Sequence, residues 1–384
     1  MSLVATGLEV LLDEGHPLVD NQRIGLITNH TAIDRELRSA VDLLHADPRF
    51  ELVRLYGPEH GVRGDVQAGD HVDSERDPQT GLPVESLYGA TRKPTPEMLD
   101  GIDVLIFDIQ DGGARFYTYI STMVLAMDAA REQGIPYVIL DRPNPVSGAH
   151  IEGPILDPAY TSFVGIHPIA TRHGLTMGEL GRLVAADRGW PAPTVVPMRG
   201  WERGMWWNDT GLPFVSPSPN LPTPDSLTVY SGTCIFEATT MSEGRGTTRP
   251  FEYIGAPWMD ASALVADLRT RDLPGVGFRP MSFVPMFSKH RGETCHGVQL
   301  HVTDREAFRP VATGVHLVHA MKHLPGSAFE WRAGTALGMS ANLLYGTDDL
   351  HTMIDAGATP DEIIATWDAG QDDYRRKVEQ AHLY

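Results

Sequence analysis

Cysteine is almost absent from this sequence, with Cys234 and Cys295 the only two among 384 residues. Two cysteines form at most one disulfide, and they provide neither a disulfide framework nor a cysteine-based metal site. We therefore expect both side chains to be ordinary buried thiols.

Long apolar runs and excess positive charge are also missing. No run approaches the roughly 18 apolar residues that a membrane span requires. Residues 1–12 lack the features of a signal peptide, so we expect a cytoplasmic protein unless an export signal was trimmed. The formal net charge of −19 argues against a nucleic-acid partner, which would need a basic surface. An anionic substrate would instead need locally placed arginines.

Several well-known site motifs are absent. The sequence has no G-x-x-x-x-G-K-[ST] loop and no G-x-G-x-x-G after the first predicted strand, so neither a P-loop nor a dinucleotide cofactor is expected. It also lacks H-E-x-x-H and the G-x-S-x-G of serine hydrolases. Its 16 histidines show no ligand spacing, so we expect neither a metal nor a cofactor.

The first half of the chain alternates short apolar runs with helical patterns. The runs have no polar alternation, as expected of strands buried on both faces; they cover residues 24–27, 52–56, 104–107 and 137–140. Helices are predicted over residues 36–45 and 119–133, and another begins at Thr176 with Glu179 completing a capping box. This alternation predicts an α/β domain with a doubly wound parallel sheet.

A proline-rich segment separates this half from the rest. Residues 213–224 contain five prolines and predict an ordered, extended connection. Beyond it, strands are predicted over residues 227–236, 278–286 and 297–302, and helices over residues 261–269 and 311–323. We therefore divide the chain into a domain of residues 1–215 and a smaller α+β domain of residues 216–384.

Polar segments follow all four predicted strands of the first domain. They are Thr28-Asn29-His30-Thr31, Gly57-Pro58-Glu59-His60-Gly61, residues 108–119, and Asp141-Arg142-Pro143-Asn144-Pro145. Ligands of open parallel sheets bind at the carboxyl ends of the strands, where these segments would meet. Their carboxylates, arginines, amides and tyrosines suit sugar hydroxyls and acid–base chemistry at a glycosidic oxygen.

Glu59 is the first catalytic candidate. It lies between Pro58 and His60 in a turn bracketed by glycines, which would hold one carboxyl group rigidly and let it protonate a leaving oxygen. The alternative is a glutamate that caps the following loop. Asp108 and Asp111 would orient the site or bind sugar hydroxyls, although Asp108 could equally cap the next helix.

Arginines and a polar loop complete the candidate site. Arg115 and Arg142 are expected to bind a substrate carboxylate or those aspartates, with a structural salt bridge as the alternative. Glu243, Arg245 and Arg249 lie in a glycine-flanked loop that would supply a second carboxylate and positive charge if it folds over the sheet edge. Three tryptophans would stack on sugars or, more commonly, pack in the core; they are Trp201, Trp206 and Trp207.

These segments resemble the motifs of the NamZ-type exo-β-N-acetylmuramidases. The resemblance covers nearly the whole chain in order, and it extends to Ser218-Pro219-Asn220, Ser242-Glu243-Gly244-Arg245-Gly246-Thr247, Pro250-Phe251 and Gly255-Ala256-Pro257-Trp258. One departure is Ala238-Thr239-Thr240, where the family usually has Gly-Thr-Asn; it affects a hydrogen bond at the cleft.

The resemblance implies a Rossmann-like domain joined to a smaller C-terminal domain, with the active cleft between them. It implies release of N-acetylmuramic acid from the non-reducing end of peptidoglycan fragments, with Glu59 as the catalytic glutamate. Glu243 and Asp111 are the candidates for a second catalytic group. The expected substrate contacts are Asn29, His60, Asp108, Arg115, Tyr117, Asp141, Arg142, Asn144, Arg245 and Arg249.

Alternatives remain at this point. The chain could be a non-catalytic sensor of muropeptide sugars, or a hydrolase of another amino sugar. For the muramidase, three nucleophiles could attack the anomeric carbon: the substrate's own acetamido group, an enzyme carboxylate or water. Carboxyl groups about 5 Å apart would favour a retaining nucleophile, and a separation of roughly 6.5–9.5 Å an inverting water.

Overall fold

The computed structural model describes residues 3–64, 75–332 and 340–384. Its central sheet has seven strands in the order β3-β4-β2-β1-β5-β6-β9. The sheet strands are β1 (Arg23–Thr28), β2 (Glu51–Gly57), β3 (Glu75–Arg76), β4 (Pro83–Ser86), β5 (Val104–Asp108), β6 (Tyr137–Leu140) and β9 (Thr194–Val196). All neighbours pair in parallel except β3 and β4. The four predicted strands are confirmed as β1, β2, β5 and β6, which lie side by side.

Helices flank the sheet on both faces, as expected for a doubly wound domain. They are α1 (Gly7–Glu14), α2 (Ala40–Ala46), α3 (Tyr119–Gln133) and α4 (Met177–Arg188). The bounds of α3 are those predicted, and Thr176 and Glu179 form the predicted capping box. α2 begins four residues later than predicted because Ser39 caps it, while the Asp34 carboxylate accepts two backbone N–H groups and holds the preceding turn. A separate hairpin contains β7 (Glu152–Ile155) and β8 (Ala170–Arg172).

The second half is the smaller α+β unit that the sequence predicts. Its antiparallel sheet has the order β10-β12-β11, with β10 (Tyr253–Ala256), β11 (Val276–Phe283) and β12 (Cys295–Val302). Its helices are α5 (Pro224–Thr233), α6 (Ala261–Leu268), α7 (Pro310–His323), α8 (Ala341–Tyr345), α9 (Asp349–Asp355), α10 (Pro360–Ala365) and α11 (Gln371–Ala381). Short 3₁₀ helices cover Pro158–Tyr160, Trp207–Asp209, Cys234–Ala238 and Thr366–Asp368.

The strand predicted over residues 227–236 is wrong. This segment forms α5 and the 3₁₀ helix Cys234–Ala238. Thr223 caps the helix and Pro224 occupies its first turn, a combination that starts helices and overrides the strand preference of the β-branched residues. Gly232 then lets α5 approach α7 closely, since a Cβ there would lie 1.8 Å from a backbone oxygen of Pro310.

The proline-rich connection is ordered up to the start of α5, as predicted. Tyr119 donates its hydroxyl to the Pro217 carbonyl at 2.9 Å, and a ring nitrogen of His30 lies 2.8 Å from the Ser216 carbonyl. These contacts hold the connection against the exits of the central strands.

One hydrophobic cluster runs through both halves of the protein. Cys234 and Cys295 are buried free thiols, as predicted. The three tryptophans named above are also buried and serve packing. Within the described residues, no helix has the length and apolar character needed to cross a membrane.

Candidate active site

The carboxyl ends of four adjacent parallel strands meet at one edge of the central sheet. There, Thr28 of β1 lies directly opposite Asp108 of β5. β2 ends at Gly57 and β6 at Leu140, on either side of this pair. The polar segments that follow the four strands therefore lie side by side, and we call this region the carboxyl edge.

Glu59 lies in the turn after β2 and is partly exposed. His60, which is buried, and Gly61 both have positive φ angles, of 75° and 74°, and they turn the chain sharply. Thr118 donates its hydroxyl to Glu59 Oε2 at 2.7 Å, and the Tyr88 hydroxyl forms a hydrogen bond with the same carboxylate. The turn and the two hydroxyls therefore hold one carboxyl group at the carboxyl edge.

Two further tyrosines lie close enough to Glu59 for its charge to act on their phenols. The rings of Tyr117 and Tyr119 meet edge to face, with centroids 4.9 Å apart. Burial raises the pKa of both phenols well above the ordinary value, and the nearby charges of Glu59 and Asp111 raise the pKa further. Both phenols therefore stay protonated. The Tyr119 hydroxyl donates to the Pro217 carbonyl, which leaves the Tyr117 hydroxyl as the donor for a ligand.

Asp111 is a second carboxylate at this edge, and it is buried. Its Oδ2 accepts the Gly113 N–H at 2.7 Å and lies 3.2 Å from Nε2 of His173. The other ring nitrogen of His173 accepts the Leu175 N–H at 3.1 Å, so Nε2 is the nitrogen that carries the proton. The imidazole thus donates to Asp111 and fixes the orientation of its carboxylate.

Three buried polar atoms at the carboxyl edge have no partner that meets full hydrogen-bond geometry in the described part of the chain. They are Asp111 Oδ1, the Tyr117 hydroxyl and Asn29 Nδ2. Asn29 is oriented by its own Oδ1, which accepts both the backbone N–H and the hydroxyl of Thr31. Leaving such a group unpaired costs about 1–3 kcal/mol, so the arrangement provides donors and acceptors for a polar ligand.

Asp108 and Arg142 form a buried ion pair that joins β5 to β6. Arg142 donates to both oxygens of Asp108, at 2.5 and 3.0 Å, and also to the Ile33 carbonyl at 3.1 Å. This bidentate geometry satisfies the guanidinium within the protein. The pair shapes the carboxyl edge, and Arg142 has no free donor pair to offer a substrate carboxylate.

Asp141 and Asn144 are engaged in holding loops together. The fully buried Asp141 carboxylate accepts from the Gly178 N–H and from the hydroxyls of Thr176 and Tyr384, at 2.7–2.8 Å. Burial raises the pKa of Asp141 to about 6. Asn144 donates to the Leu175 carbonyl at 2.9 Å and accepts the backbone N–H two residues later. The structure does not bring these two side chains together with Glu59.

Arg115 lies in the interior and contacts no carboxylate among the described residues. Its guanidinium donates to four backbone carbonyls at 2.6–3.0 Å, two from the β7–β8 region and two from α8; they belong to Pro154, Ile169, Leu344 and Tyr345. Burial lowers the pKa of Arg115 to about 10. The side chain connects the two halves of the protein through these four carbonyls.

The polar loop after α5 contains a buried chain of alternating charges. Arg245 lies between Glu237 and Glu243, at 2.5 and 3.3 Å, and Lys289 contacts the other oxygen of Glu243 at 2.7 Å. Lys289 also donates to two backbone carbonyls of the segment before this loop. Positive neighbours lower the pKa of Glu243 despite its burial. Glu243 and Arg245 are therefore committed to each other.

Arg249, the remaining candidate, is partly exposed and lies 3.3 Å from Glu252, three residues along the chain. The structure does not place it in the buried charge chain. An ion pair of this kind leaves the guanidinium accessible on one side.

The two halves meet at Tyr230, which packs edge to face against Tyr117 and Phe251, at 6.0 and 4.8 Å between ring centroids. Charges from both halves also act on one phenol, because Glu59 and Glu237 both raise the pKa of Tyr88. The carboxyl edge and the polar loop therefore form one site.

Sequence reasoning missed three of these side chains, Tyr88, Thr118 and Glu237. Thr118 lies within a segment that had been singled out as polar, and its place just before a predicted helix was the available signal. Tyr88 follows β4, a strand that the sequence analysis did not predict, and it lies in no motif. Within the described ranges, no group of three or more His, Cys, Asp or Glu side chains could hold a metal ion.

The fold and site define an α/β protein with a carboxylate-centred polar site at the carboxyl edge of a parallel sheet. Family models for the N-terminal and C-terminal parts of the exo-β-N-acetylmuramidase NamZ match residues 24–225 and 228–384. The chain belongs to the NamZ family, which confirms the resemblance seen in its motifs.

Individual relatives agree with this assignment. The peptidoglycan β-N-acetylmuramidase NamZ of Bacillus subtilis (strain 168) is 51% identical over 366 residues, covering 95% of this chain and 87% of the relative. Crystal structures of two DUF1343-family proteins from Bacteroides fragilis NCTC 9343 superpose with TM-scores of 0.90 and 0.80, at 39% and 32% identity. Each alignment covers at least 99% of both chains.

Proposed function

We propose that this protein is an exo-β-N-acetylmuramidase that releases N-acetylmuramic acid from the non-reducing end of peptidoglycan fragments. The observation that carries the proposal is the partly exposed Glu59 carboxyl group, held by Thr118 and Tyr88, together with the buried Asp111 carboxylate. The charges of both carboxylates act on the phenols of Tyr117 and Tyr119. The family membership and the activity named for the Bacillus subtilis relative support the choice of substrate.

Glu59 is the general acid in this account. It transfers its proton to the glycosidic oxygen as the bond from that oxygen to the anomeric carbon breaks, which removes the need to expel an alkoxide. The resulting carboxylate then takes a proton from the water that completes hydrolysis, so the enzyme returns to its starting state. The hydroxyls of Thr118 and Tyr88 orient the carboxyl group for both steps.

Asp111 and Tyr117 are assigned to the 2-acetamido group of the sugar. Asp111 Oδ1 is an acceptor without a partner in the described chain and suits the amide N–H, while the Tyr117 phenol and Asn29 amide are donors for the carbonyl. This arrangement favours attack of the acetamido oxygen on the anomeric carbon, with Asp111 balancing the positive charge that develops. Glu243, whose oxygens contact Arg245 and Lys289, has a supporting role in the polar loop.

The experiment is hydrolysis of two isomeric disaccharides, with either N-acetylmuramic acid or N-acetylglucosamine at the non-reducing end. We expect free N-acetylmuramic acid from the first and no cleavage of the second, measured by mass spectrometry. Glu59→Gln should abolish the release, whereas Glu51→Gln, at the exposed start of the strand that precedes Glu59, should not affect it. Cleavage of the second disaccharide alone, or of neither, would contradict the proposal.

A further inference from the structure

Arg92, which is not among the arginines expected to contact the substrate, has a guanidinium that could bind an anionic group. Arg142 and Arg245 are bound by carboxylates, and Arg115 by backbone carbonyls. Arg92 is exposed, and no carboxylate of residues 3–64, 75–332 or 340–384 pairs with it. Its guanidinium carbon lies 4.2 Å from the ring centroid of Phe163. The stacking holds the cation while leaving the edge with its N–H groups open.

Contacts along α3 place this stacked pair close to the catalytic candidate. Ser121 donates its hydroxyl to the Phe163 carbonyl at 2.7 Å, and Thr118, three residues earlier, donates to Glu59. Side chains three apart on a helix are about 5–6 Å apart at Cβ, so Phe163 and Glu59 are held by neighbouring positions.

Tyr88 provides a second connection between the two. Its ring lies 6.0 Å from that of Phe163, its hydroxyl bonds to Glu59, and the positive charge of Arg92 acts on it. Arg92 and Glu59 therefore both act on Tyr88, Arg92 through its charge and Glu59 through a hydrogen bond, which places the stacked guanidinium in the surroundings of the catalytic candidate.

We propose that Arg92, stacked on Phe163, binds the lactyl carboxylate of the terminal muramic acid and so selects this sugar over N-acetylglucosamine. The inference rests on the proposed function, because the lactyl ether is the group that distinguishes the two sugars. In a chain of net charge −19, an anionic substrate needs such a local cation. The planar guanidinium can hold the carboxylate through two parallel hydrogen bonds.

The test compares wild type, Arg92→Gln and Arg92→Lys with Arg188→Gln as the matched control. Arg188 also stacks on an aromatic ring, that of Trp190 at 4.8 Å, but it lies at the far end of α4. Hydrolysis of a chromogenic N-acetylmuramic acid glycoside is compared with that of the same glycoside carrying a lactyl amide. Binding of free N-acetylmuramic acid and N-acetylglucosamine is measured by calorimetry on the same proteins.

For Arg92→Gln we expect KM for the carboxylate substrate to rise about 10- to 100-fold, the range for a hydrogen bond to a charged group. Its kcat, and its KM for the amide substrate, should stay close to wild type. The KM of Arg92→Lys for the carboxylate substrate should lie between those of wild type and Arg92→Gln. The KM of Arg188→Gln should match that of wild type. An unchanged KM in Arg92→Gln, or equal loss on both substrates, would overturn the inference.

The binding measurement separates this inference from the proposed function. If wild type cleaves neither glycoside but binds N-acetylmuramic acid in preference to N-acetylglucosamine, and Arg92→Gln loses that preference, the proposed activity fails and the role of Arg92 stands. If wild type shows no preference between the two sugars, the role of Arg92 is contradicted whatever the activity.

Discussion

Thr118 gives its hydroxyl to Glu59 and makes no side-chain cap for the helix that it precedes. Threonine at this position usually accepts a backbone N–H of the first turn. Thr118 has helical backbone angles, φ −67° and ψ −14°, and not the extended ones of a capping residue. Its hydroxyl is directed across the carboxyl edge to the carboxylate that follows β2. The interaction therefore serves the site more than the stability of α3.

Thr118→Val should consequently lower activity with little effect on folding. We expect kcat to fall about 10-fold or more, since one hydrogen bond to a charged group is removed, while the melting temperature stays within about 2 °C because no cap is lost. Thr118→Ser keeps the hydroxyl and is the control. A large drop in melting temperature with unchanged kcat would show that the hydroxyl is structural.

Tyr117→Phe should separate activity from stability in the same way. Among the described residues no partner meets full hydrogen-bond geometry with the Tyr117 hydroxyl, although the Tyr119 phenol lies near it, so removing the hydroxyl should change the free energy of unfolding little. Activity should fall at least about 10-fold if the phenol contacts the acetamido group. Tyr119→Phe is the comparison, because it removes the bond to Pro217 and should cost about 1 kcal/mol of stability. Full activity of Tyr117→Phe would remove this tyrosine from the mechanism.

Arg115→Met should destabilise the protein without altering substrate affinity. The change removes the guanidinium donor from four backbone carbonyls and loosens the connection to α8. We expect a loss of about 3–5 kcal/mol, measured by denaturant unfolding. KM of the folded fraction should equal that of wild type. A raised KM with normal stability would restore Arg115 as a substrate contact.

Asp141 should make stability depend on pH. Burial raises the pKa of Asp141 to about 6 in the folded protein, whereas an unfolded aspartate titrates near 3.9. The unfolded chain therefore releases this proton first, and the stability present below about pH 4 is lost as pH rises through about 6. The difference is about 3 kcal/mol for two pKa units.

Asp141→Asn removes this titration and provides the measurement. Between pH 4 and pH 7, the stability of wild type relative to the variant should decrease by about 2 kcal/mol, whatever the offset between them. Denaturant unfolding at several pH values gives this difference. A constant difference across the range would show that Asp141 is ionised in the folded protein throughout.

Much of the fold could be predicted because its signals are local. The runs that became β1, β2, β5 and β6 are short, apolar and bounded by turns, and α3 shows its helical period plainly. The strand predicted over residues 227–236 was wrong because the strand-like composition of this run competes with a helix start signal, Thr223-Pro224, that precedes it. Capping chemistry outweighed the preference of the side chains.

The site was harder to predict than the fold because the partners of its side chains lie far away in the sequence. Arginines are equally plausible ligands in a sequence, yet Arg115 is bound by carbonyls up to 230 positions away. Arg92, which pairs with no carboxylate of the described residues, lies in no motif, and its role is suggested only by its contact with Phe163. Side-chain roles of this kind follow from packing.

The central claim, that Glu59 is the general acid, is tested most directly by leaving-group dependence. Wild type and Glu59→Gln are assayed on a nitrophenyl β-N-acetylmuramic acid glycoside and on the disaccharide ending in N-acetylmuramic acid. Nitrophenolate leaves without much proton assistance, so the variant should lose at least about 10-fold more kcat/KM on the disaccharide. An equal loss on both substrates, or no loss, would contradict the assignment of Glu59 as the acid.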